Sequence, residues 1–380
     1  MNEKLQLHDH ERLLLLCSRI EMTVENEEEA KEIIDNGFDI DKLVSLANRH
    51  KVLQLIGGHL LRLDQTGKIK NMYKRLFNSY YLSNKHRNEL MFAEGLQVLR
   101  AFDQESIKAI PLKGFVLLPN VYKDMGLRIC NDLDFLIDLS DRNKVSQVLK
   151  SLGYVIGDYD WSSNTINQVS RQEEMLWKMH IGNIYPHVKL SDDPFLRHID
   201  IDFSYDVDLK KNYQASKALL ENAVKTNLED TPVFLLEEID FLIHIAIHLY
   251  KEATNVQWVL LHADLNLIKF CDLRECTLNL LERGQLDWDL LAKRANELLA
   301  TEALFYSFYY LDYLYDEHYS DVLQPILNIR DETFLEKYGE LDYGSAVKWK
   351  KSFVERFFSL SNEDEIEGTS RLEQFKEKMT

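Results

Sequence analysis

The sequence predicts an α+β protein in which a small mixed sheet is embedded between two helical stretches of chain. Apolar positions recur at helical spacing in the first and last parts of the chain, whereas short apolar runs with polar alternation occur in the middle. We therefore expect a helical N-terminal region at 1–104, an α/β core at 105–210 and a helical C-terminal domain at 211–380.

The composition is that of a folded protein, with 45% hydrophobic and 28% charged residues among 380. Its 45 basic and 63 acidic side chains give a formal net charge of −18. Such an acidic surface disfavours loose binding to DNA or RNA, which requires a basic footprint. It is compatible with a local basic pocket for a small polyanion such as a triphosphate.

The four cysteines have the spacing of neither a zinc site nor a disulfide framework. This pattern predicts reduced thiols and a cytoplasmic location. No apolar run approaches the ~18 residues of a membrane span, so we expect no membrane association.

The elements follow from local patterns. Helices are predicted where apolar residues repeat every three or four positions: 13–20, 42–53, 68–102, 115–121, 141–152, 234–250, 256–270, 288–299 and 304–315. Strands are predicted at 110–114, which ends in a glycine turn, and at 133–139, 155–156, 187–190 and 198–205. Gly153 closes the helix that precedes the third strand. From residue 210 onward the chain is expected to be helical.

Two aspartates stand at the start of the second predicted strand, in the run Asn131-Asp132-Leu133-Asp134. Side chains two residues apart on a strand point the same way, so both carboxylates share one face. Keeping two such charges ionised is unfavourable unless a cation lies between them. Mg²⁺ takes hard oxygen ligands of this kind, together with substrate phosphates. A later strand places Asp200 and Asp202 together on its polar face and can supply the third carboxylate of a two-metal site.

Upstream of the acidic pair lie three residues that are suited to binding phosphate. Lys113 and Gly114 begin a turn into a helix, where a glycine permits close backbone approach and the lysine provides a point charge. Arg128 lies four residues before the acidic pair and can bind a phosphate with two hydrogen bonds.

The run LKGFVLLPNVYKDMGLRICNDLDFLID resembles the core of the uncharacterised nucleotidyltransferase family of the DNA polymerase beta superfamily. The family pattern is Lys-Gly, a following Leu and Tyr, Gly-x-Arg, and Asp-x-Asp in an apolar strand. Here these are Lys113 and Gly114, Leu117 and Tyr122, Gly126 and Arg128, and Asp132 with Asp134. The resemblance implies a small mixed-sheet nucleotidyltransferase core with helices on one side.

The sequence departs from that family in two places. Its later strand usually has an Asp, then a His two places on and an aromatic residue, whereas here Asp200 is followed by Asp202 and Phe203. Which of the two aspartates is the third metal ligand stays open, because both share one face. The helix start also lacks the serine of the superfamily, since Phe115 follows Gly114.

A second family-like stretch contains Asp240, His244 and His248 at helical spacing, then Trp258 and Asp264. Three interpretations are open. The histidines can form hydrogen bonds between packed helices, or bind zinc, although no third ligand is evident. The resemblance implies instead that His248 and Asp264 help to line the nucleotide or acceptor pocket.

The resemblance implies transfer of a nucleoside monophosphate from a nucleoside triphosphate to a hydroxyl, amine or phosphate. The cofactor would be Mg²⁺, with Mn²⁺ as the alternative, held by Asp132, Asp134 and either or both of Asp200 and Asp202. The acceptor would be a small molecule, a peptide or a protein. The alternatives are a catalytically silent nucleotide-binding or assembly module of the same fold, and a toxin-like enzyme that modifies tRNA.

Overall fold

The computed structural model describes residues 6–180, 184–204, 209, 213–370 and 372–373, with only the backbone for 176–180, 342 and 343. The chain divides into two compact units. One runs from Leu82 to Phe241, and the other combines Met1–Tyr81 with Leu242–Thr380. The first unit is therefore inserted into the second along the chain.

The strands of the described residues are numbered in chain order. They are β1 (Ala109–Pro111), β2 (Leu133–Ile137), β3 (Val155–Asp160), β4 (Thr165–Gln168), β5 (His187–Leu190), β6 (His198–Phe203), β7 (Val224–Leu228), β8 (Thr231–Leu235), β9 (Lys337–Tyr338) and β10 (Val347–Lys348). The first six form one mixed sheet in the order β1-β2-β6-β5-β3-β4. Within it the pair β2–β6 is parallel, and the other neighbouring strands are antiparallel.

The α-helices, also in chain order, are α1 (Asp9–Cys17), α2 (Val24–Asn36), α3 (Ile40–Arg49), α4 (Leu53–Leu63), α5 (Asn71–Gln104), α6 (Lys113–Leu117), α7 (Arg142–Ser151), α8 (Arg171–His180), α9 (Gln214–Asn222), α10 (Glu238–Ala253), α11 (Val256–Leu260), α12 (Leu267–Glu282), α13 (Trp288–Glu297), α14 (Thr301–Tyr315), α15 (Tyr319–Leu327), α16 (Glu340–Tyr343), α17 (Phe353–Phe357) and α18 (Glu363–Ile366). A π-helical turn, Leu118–Tyr122, continues α6, and 3₁₀ turns occupy Leu139–Asp141 and Thr333–Glu336.

One face of the six-stranded sheet carries the apolar core of its unit. Phe135 of β2 and Phe203 of β6 are paired in register and buried, and Phe102 of α5 meets Phe135 edge-on at 5.9 Å. Leu149 of α7 belongs to the same cluster. Since this face is taken up by helices α5 and α7, the alternate side chains of β2 and β6 project from the opposite face.

The α+β fold class predicted from the sequence is confirmed. Strands β2, β5 and β6 lie where the alternation indicated, and β6 alternates between half-buried polar and buried apolar positions. Gly153 follows α7 with a φ of 91°, as expected for a residue that ends a helix. The predicted continuation of β6 to Tyr205 lies outside the described residues.

Predictions of helix were wrong in three places, one of which is the short antiparallel pair β9–β10 within 337–348. Residues 224–235 form the hairpin β7–β8, because Thr231, Pro232 and Val233 favour an extended chain over a helix. The stretch 256–270 is two helices, α11 and α12, because His262 and Leu265 adopt left-handed φ angles of 51° and 50° between them.

The sheet-containing unit extends beyond the predicted core of 105–210 in both directions. It includes α5 from Leu82 onward and the hairpin β7–β8, whose Leu228 and Val233 belong to the core. The division at residues 104 and 210 stays a prediction. None of the helices in the described part of the chain has the length and apolar character needed to cross a bilayer.

Candidate functional site

Two carboxylates lie side by side on the second and third strands of the six-stranded sheet. Asp134 of β2 and Asp202 of β6 are paired in register on adjacent parallel strands, so both project to the face opposite the core. Asp200 comes two residues before Asp202 on β6 and shares that face, and Asp132 lies just before β2, where its charge acts on Asp202. The sequence left open whether Asp200 or Asp202 joins the acidic pair, and the register places Asp202 directly beside Asp134.

Asp132, Asp134 and Asp200 are close enough to affect the carboxyl group of Asp202. Burial raises the pKa of the Asp202 carboxyl well above its usual range, and the charges of Asp132 and Asp134 raise it further. The ammonium of Lys113 opposes this rise, and Asp200 adds to it. Partly desolvated like charges of this kind favour the binding of a cation.

Lys113 provides one cation at this site. Its Nζ lies 2.9 Å from Oδ1 of Asp134, in a pair that is largely buried. The chain reaches this position because the backbone N–H of Leu112 donates to the carbonyl of Asp134 and extends the β1–β2 pairing. Lys113 then takes a left-handed φ of 49°, a strained conformation of the kind found at functional sites.

The turn expected at the glycine is therefore made by Lys113, whereas Gly114 allows another segment to approach closely. A Cβ on Gly114 would lie 2.6 Å from Nη1 of Arg128 and 2.8 Å from Sγ of Cys130. Both distances are below van der Waals contact, so only glycine lets the segment 128–130 approach the start of α6. Lys113, Gly114 and Arg128, which the sequence singled out separately, thus lie together.

Two asparagines that the sequence analysis did not identify hold the segment containing Arg128. Asn84 and Asn88 lie one turn apart on α5 and are buried. The side chain of Asn84 donates to the carbonyls of Gly126 and Arg128 at 2.8 and 3.0 Å, and that of Asn88 donates to the carbonyls of Met125 and Arg128 at 2.6 and 2.7 Å. An Asn-x-x-x-Asn pair on a predicted helix was the available signal, but nothing in it indicates which loop is bound.

The donor set suits a magnesium ion in its chemistry. Carboxylate oxygens are the ligands that Mg²⁺ prefers, and Oδ1 of Asp200 is buried without a hydrogen bond among the described residues. In the same residues, however, no three His, Cys, Asp or Glu side chains are already arranged to hold a metal ion. Since Nζ of Lys113 is bonded to Oδ1 of Asp134, binding of a metal ion by Asp134 would require the side chains at this site to rearrange.

A pocket of about 240 Å³ opens beside Asp200 and Asp202, and we call it the aromatic pocket. The residues that line it are Asp158, Tyr159, Trp161, Pro186, Val188, His198, Asp200 and Asp202. The ring of Tyr159 stacks on that of His198 with centroids 3.9 Å apart, and Trp161 stands edge-on to both at 5.1 Å. The pocket therefore combines aromatic rings with carboxylates.

His198 is a residue that the sequence analysis missed. Its Nε2 lies 3.0 Å from Oδ2 of Asp200. The available signal was its position two residues before Asp200, on the same face of β6. Tyr159 and Trp161 offered no comparable signal, because β3 reaches β6 only through the pairing of both with β5.

His248 lies in the other unit, on α10. Its Nε2 is 3.1 Å from Oε1 of Glu252, and the same carboxylate pairs with Lys269. The ring of His244 stacks 6.4 Å from that of His248. No zinc-binding group that includes either histidine is formed by the described residues.

Asp264, also in the helical unit, is fully buried and holds two partners. Its Oδ1 pairs with Nη2 of Arg49 at 3.3 Å, and its Oδ2 accepts a 2.8 Å hydrogen bond from Asn362. These contacts connect α3 with the segments before α12 and α18. A nucleotide-lining role for His248 and Asp264 stays a prediction.

The chain matches the model of a known protein family. A family described as "Uncharacterised nucleotidyltransferase" matches residues 36–316, which is more than half of the chain and includes every candidate site residue named above. No curated protein matches the chain.

Proposed function

Since the chain belongs to the uncharacterised nucleotidyltransferase family, we propose that it moves a nucleoside monophosphate from a nucleoside triphosphate to an acceptor. The observation that carries this proposal is the in-register pairing of Asp134 with Asp202, with Lys113 bonded to Asp134 and the start of α6 against Arg128. Carboxylates and cations placed together in this way match the needs of a metal-bound polyphosphate.

Asp132, Asp134, Asp200 and Asp202 would hold Mg²⁺, or Mn²⁺ in its place. The bound metal would neutralise charge on the phosphates and polarise the phosphoryl group under attack. The contact between Lys113 and Asp134 would then open, because the metal and the phosphates compete for the two partners.

The two cations of the site would bind the triphosphate. Lys113 provides a compact charge, and Arg128 can donate two parallel hydrogen bonds to a phosphate. An acceptor oxygen or nitrogen would form a bond to the α-phosphorus while the bond from that phosphorus to the bridging oxygen breaks. Pyrophosphate would leave with its developing charge stabilised by these cations.

Asp200 would take the proton of the acceptor. Its Oδ1 makes no hydrogen bond in the described residues, whereas His198 occupies Oδ2. Because Oδ1 is buried, Asp200 would act as a general base after its side chain turns to bring that oxygen within hydrogen-bond reach of the acceptor. We propose a small molecule, a peptide or a protein as the acceptor, because the charge of −18 disfavours nucleic acid.

One observation supports a second candidate, a catalytically silent nucleotide-binding module. Lys113 already neutralises Asp134, and the described carboxylates are not preorganised for a metal. Such a module would bind a nucleotide without turning it over.

The first prediction separates these functions. We expect thermal stabilisation by one of ATP, CTP, GTP or UTP in the presence of Mg²⁺, with pyrophosphate release when acceptors are added. Asp132→Asn with Asp134→Asn should abolish both, because the two carboxylates would be replaced by neutral amides of the same shape. The control is Asp192→Asn with Glu221→Gln, which changes two exposed acidic residues of the same unit.

The outcomes differ for each function. Stabilisation that is lost only in the Asp132/Asp134 variant, together with release, supports the transferase. Stabilisation without release over an acceptor panel of amines, sugars and peptides favours the silent module. If no triphosphate stabilises the wild-type protein, nucleotide binding at this site is contradicted.

A further inference from the structure

The aromatic pocket lies on the side of the carboxylates away from the two cations. Lys113 follows β1, the edge strand next to β2, whereas the pocket is built on β6, β5 and β3. If the phosphates bind at Lys113 and Arg128, the other substrate has to approach from the β6–β5–β3 side. Asp200 and Asp202 belong to both the acidic cluster and the pocket wall, so a molecule in the pocket would contact the reacting centre.

The aromatic wall of the pocket presents a ring to solvent. Trp161 is 72% exposed although it contacts both Tyr159 and His198. A tryptophan held at the mouth of a cavity by two other rings has a π-face or edge available for a ligand, and indole is the best aromatic partner for a cation.

Apart from His198 and the hydroxyl of Tyr159, the remaining polar groups of the wall are carboxyl groups. Asp158, Asp200 and Asp202 contribute three carboxyl groups, and the described lining residues include neither Lys nor Arg. Asp158 is held by the hydroxyl of Tyr185, which donates to its Oδ2. Oδ1 of Asp200 is buried and accepts no hydrogen bond from the described residues. Carboxylates beside aromatic faces are complementary to an ammonium group.

We propose that the aromatic pocket is the acceptor subsite and that it takes a small cationic acceptor, an amine-bearing alcohol or sugar. This inference rests on the proposed transferase function. The ammonium would lie against Trp161 and Asp158, and the hydroxyl would reach Asp200. At about 240 Å³ the pocket lies below the usual range for drug-sized ligands, which limits the bound part to a small molecule.

Two pairs of probes with matched shape test the charge preference. Choline is compared with 3,3-dimethyl-1-butanol, which replaces the ammonium nitrogen by carbon, and glucosamine is compared with glucose. Binding is followed by ligand-observed NMR titration of the full chain, which requires no turnover. We expect each cation to bind about tenfold more tightly than its neutral partner, as a cation–π contact with a nearby carboxylate implies.

Variants locate the binding to the pocket. Trp161→Ala should weaken choline about tenfold, and Asp158→Asn should weaken choline but not the neutral alcohol. The matched control is Phe195→Ala, which removes another exposed aromatic ring, 56% exposed, from the same unit. All four proteins should give the same circular dichroism, because the substituted side chains are exposed.

Equal binding of charged and neutral probes, no binding of either cation, or unchanged choline affinity in Trp161→Ala would overturn the inference. So would a loss of triphosphate affinity in Trp161→Ala, since the pocket would then hold the nucleobase. Triphosphate binding with Mg²⁺ in the wild-type protein is measured separately. If a triphosphate binds but choline does not, the proposed transferase function stands without this class of acceptor. If choline binds but no triphosphate does, the pocket still binds small cations and the transferase proposal is contradicted.

Discussion

Lys113 shows how much of the candidate site depends on one side chain. Its ammonium is bonded to Asp134 and lowers the pKa of Asp202 against the effects of burial and the other carboxylates. Replacing it with an apolar side chain removes the cation that we propose binds phosphate, and leaves a buried cluster of carboxyl groups without that counter-charge. Activity and stability should therefore both change, and the stability change should depend on pH.

We predict that Lys113→Met lowers kcat/KM for the triphosphate by about 10²–10³-fold, the usual cost of one electrostatic contact to the reacting group. The control Lys123→Met changes an exposed lysine ten residues away and should leave kcat/KM unchanged. An equal effect of both substitutions would show that Lys113 acts only through the overall charge.

The same variant should be destabilised more at pH 8 than at pH 5. A carboxyl whose pKa is raised in the folded state contributes its full stability below the unfolded pKa of about 4, and loses it as pH rises through the folded pKa. Removing Lys113 raises the pKa of Asp202 further, so the penalty for ionising the cluster grows with pH. The thermal midpoints of the wild type and of Lys113→Met, measured from pH 5 to pH 8, test this prediction. A difference in midpoint that does not change with pH would contradict the effect of Lys113 on the pKa of Asp202.

At the scale of elements, adjacent glycines on α4 provide a matched pair. A Cβ on Gly57 would lie 2.8 Å from Cβ of Phe77, which is buried on α5, whereas a Cβ on Gly58 would meet nothing within 4 Å. Gly57 thus permits a close approach of α4 and α5. Gly58 faces solvent, and its only effect is to lower the helix propensity of α4.

We predict opposite signs for the two alanine substitutions. Gly57→Ala should lower the free energy of unfolding by about 1–3 kcal/mol, because the clash is with the base of a buried side chain. Gly58→Ala should raise it by about 0.5–1 kcal/mol. Chemical denaturation of the two variants and the wild type measures both, and a shared sign would refute the packing of α4 against α5 described here.

For the whole molecule, the net charge of −18 bears on the tRNA-modifying alternative. One basic cluster in the sequence, the candidate for a tRNA-binding face, is Lys68, Lys70, Lys74 and Arg75. In the structure Nζ of Lys74 is 2.7 Å from Oδ2 of Asp64, so part of this charge is neutralised within the unit. A footprint this small releases few counterions from a nucleic acid.

We therefore predict no measurable tRNA binding at about 200 mM salt and little at about 50 mM. Fluorescence anisotropy with labelled tRNA measures this, with an established RNA-binding protein as the positive control. Tight binding with a steep salt dependence would favour the tRNA alternative over a small acceptor.

The sequence by itself determined the fold class, the strands that carry the aspartates and the face on which each aspartate lies. Hydrophobic alternation is a local property, and it suffices to place Asp200 and Asp202 on one side of β6. The glycine at the start of a predicted helix and the arginine just before the acidic pair mark Lys113, Gly114 and Arg128 as candidates for phosphate binding. The family resemblance rests on the same short run and was confirmed by the match over residues 36–316.

Only the tertiary structure decided which of these residues meet. The parallel register of β2 and β6 places Asp202 beside Asp134. The pairing of β3 with β5 places Trp161, which follows β3, near the acidic cluster. The tertiary structure also shows that Lys113 adopts the left-handed conformation that was expected of a glycine. The reason is that strand register and helix contact join segments distant along the chain, and their energies depend on packing that no local pattern contains.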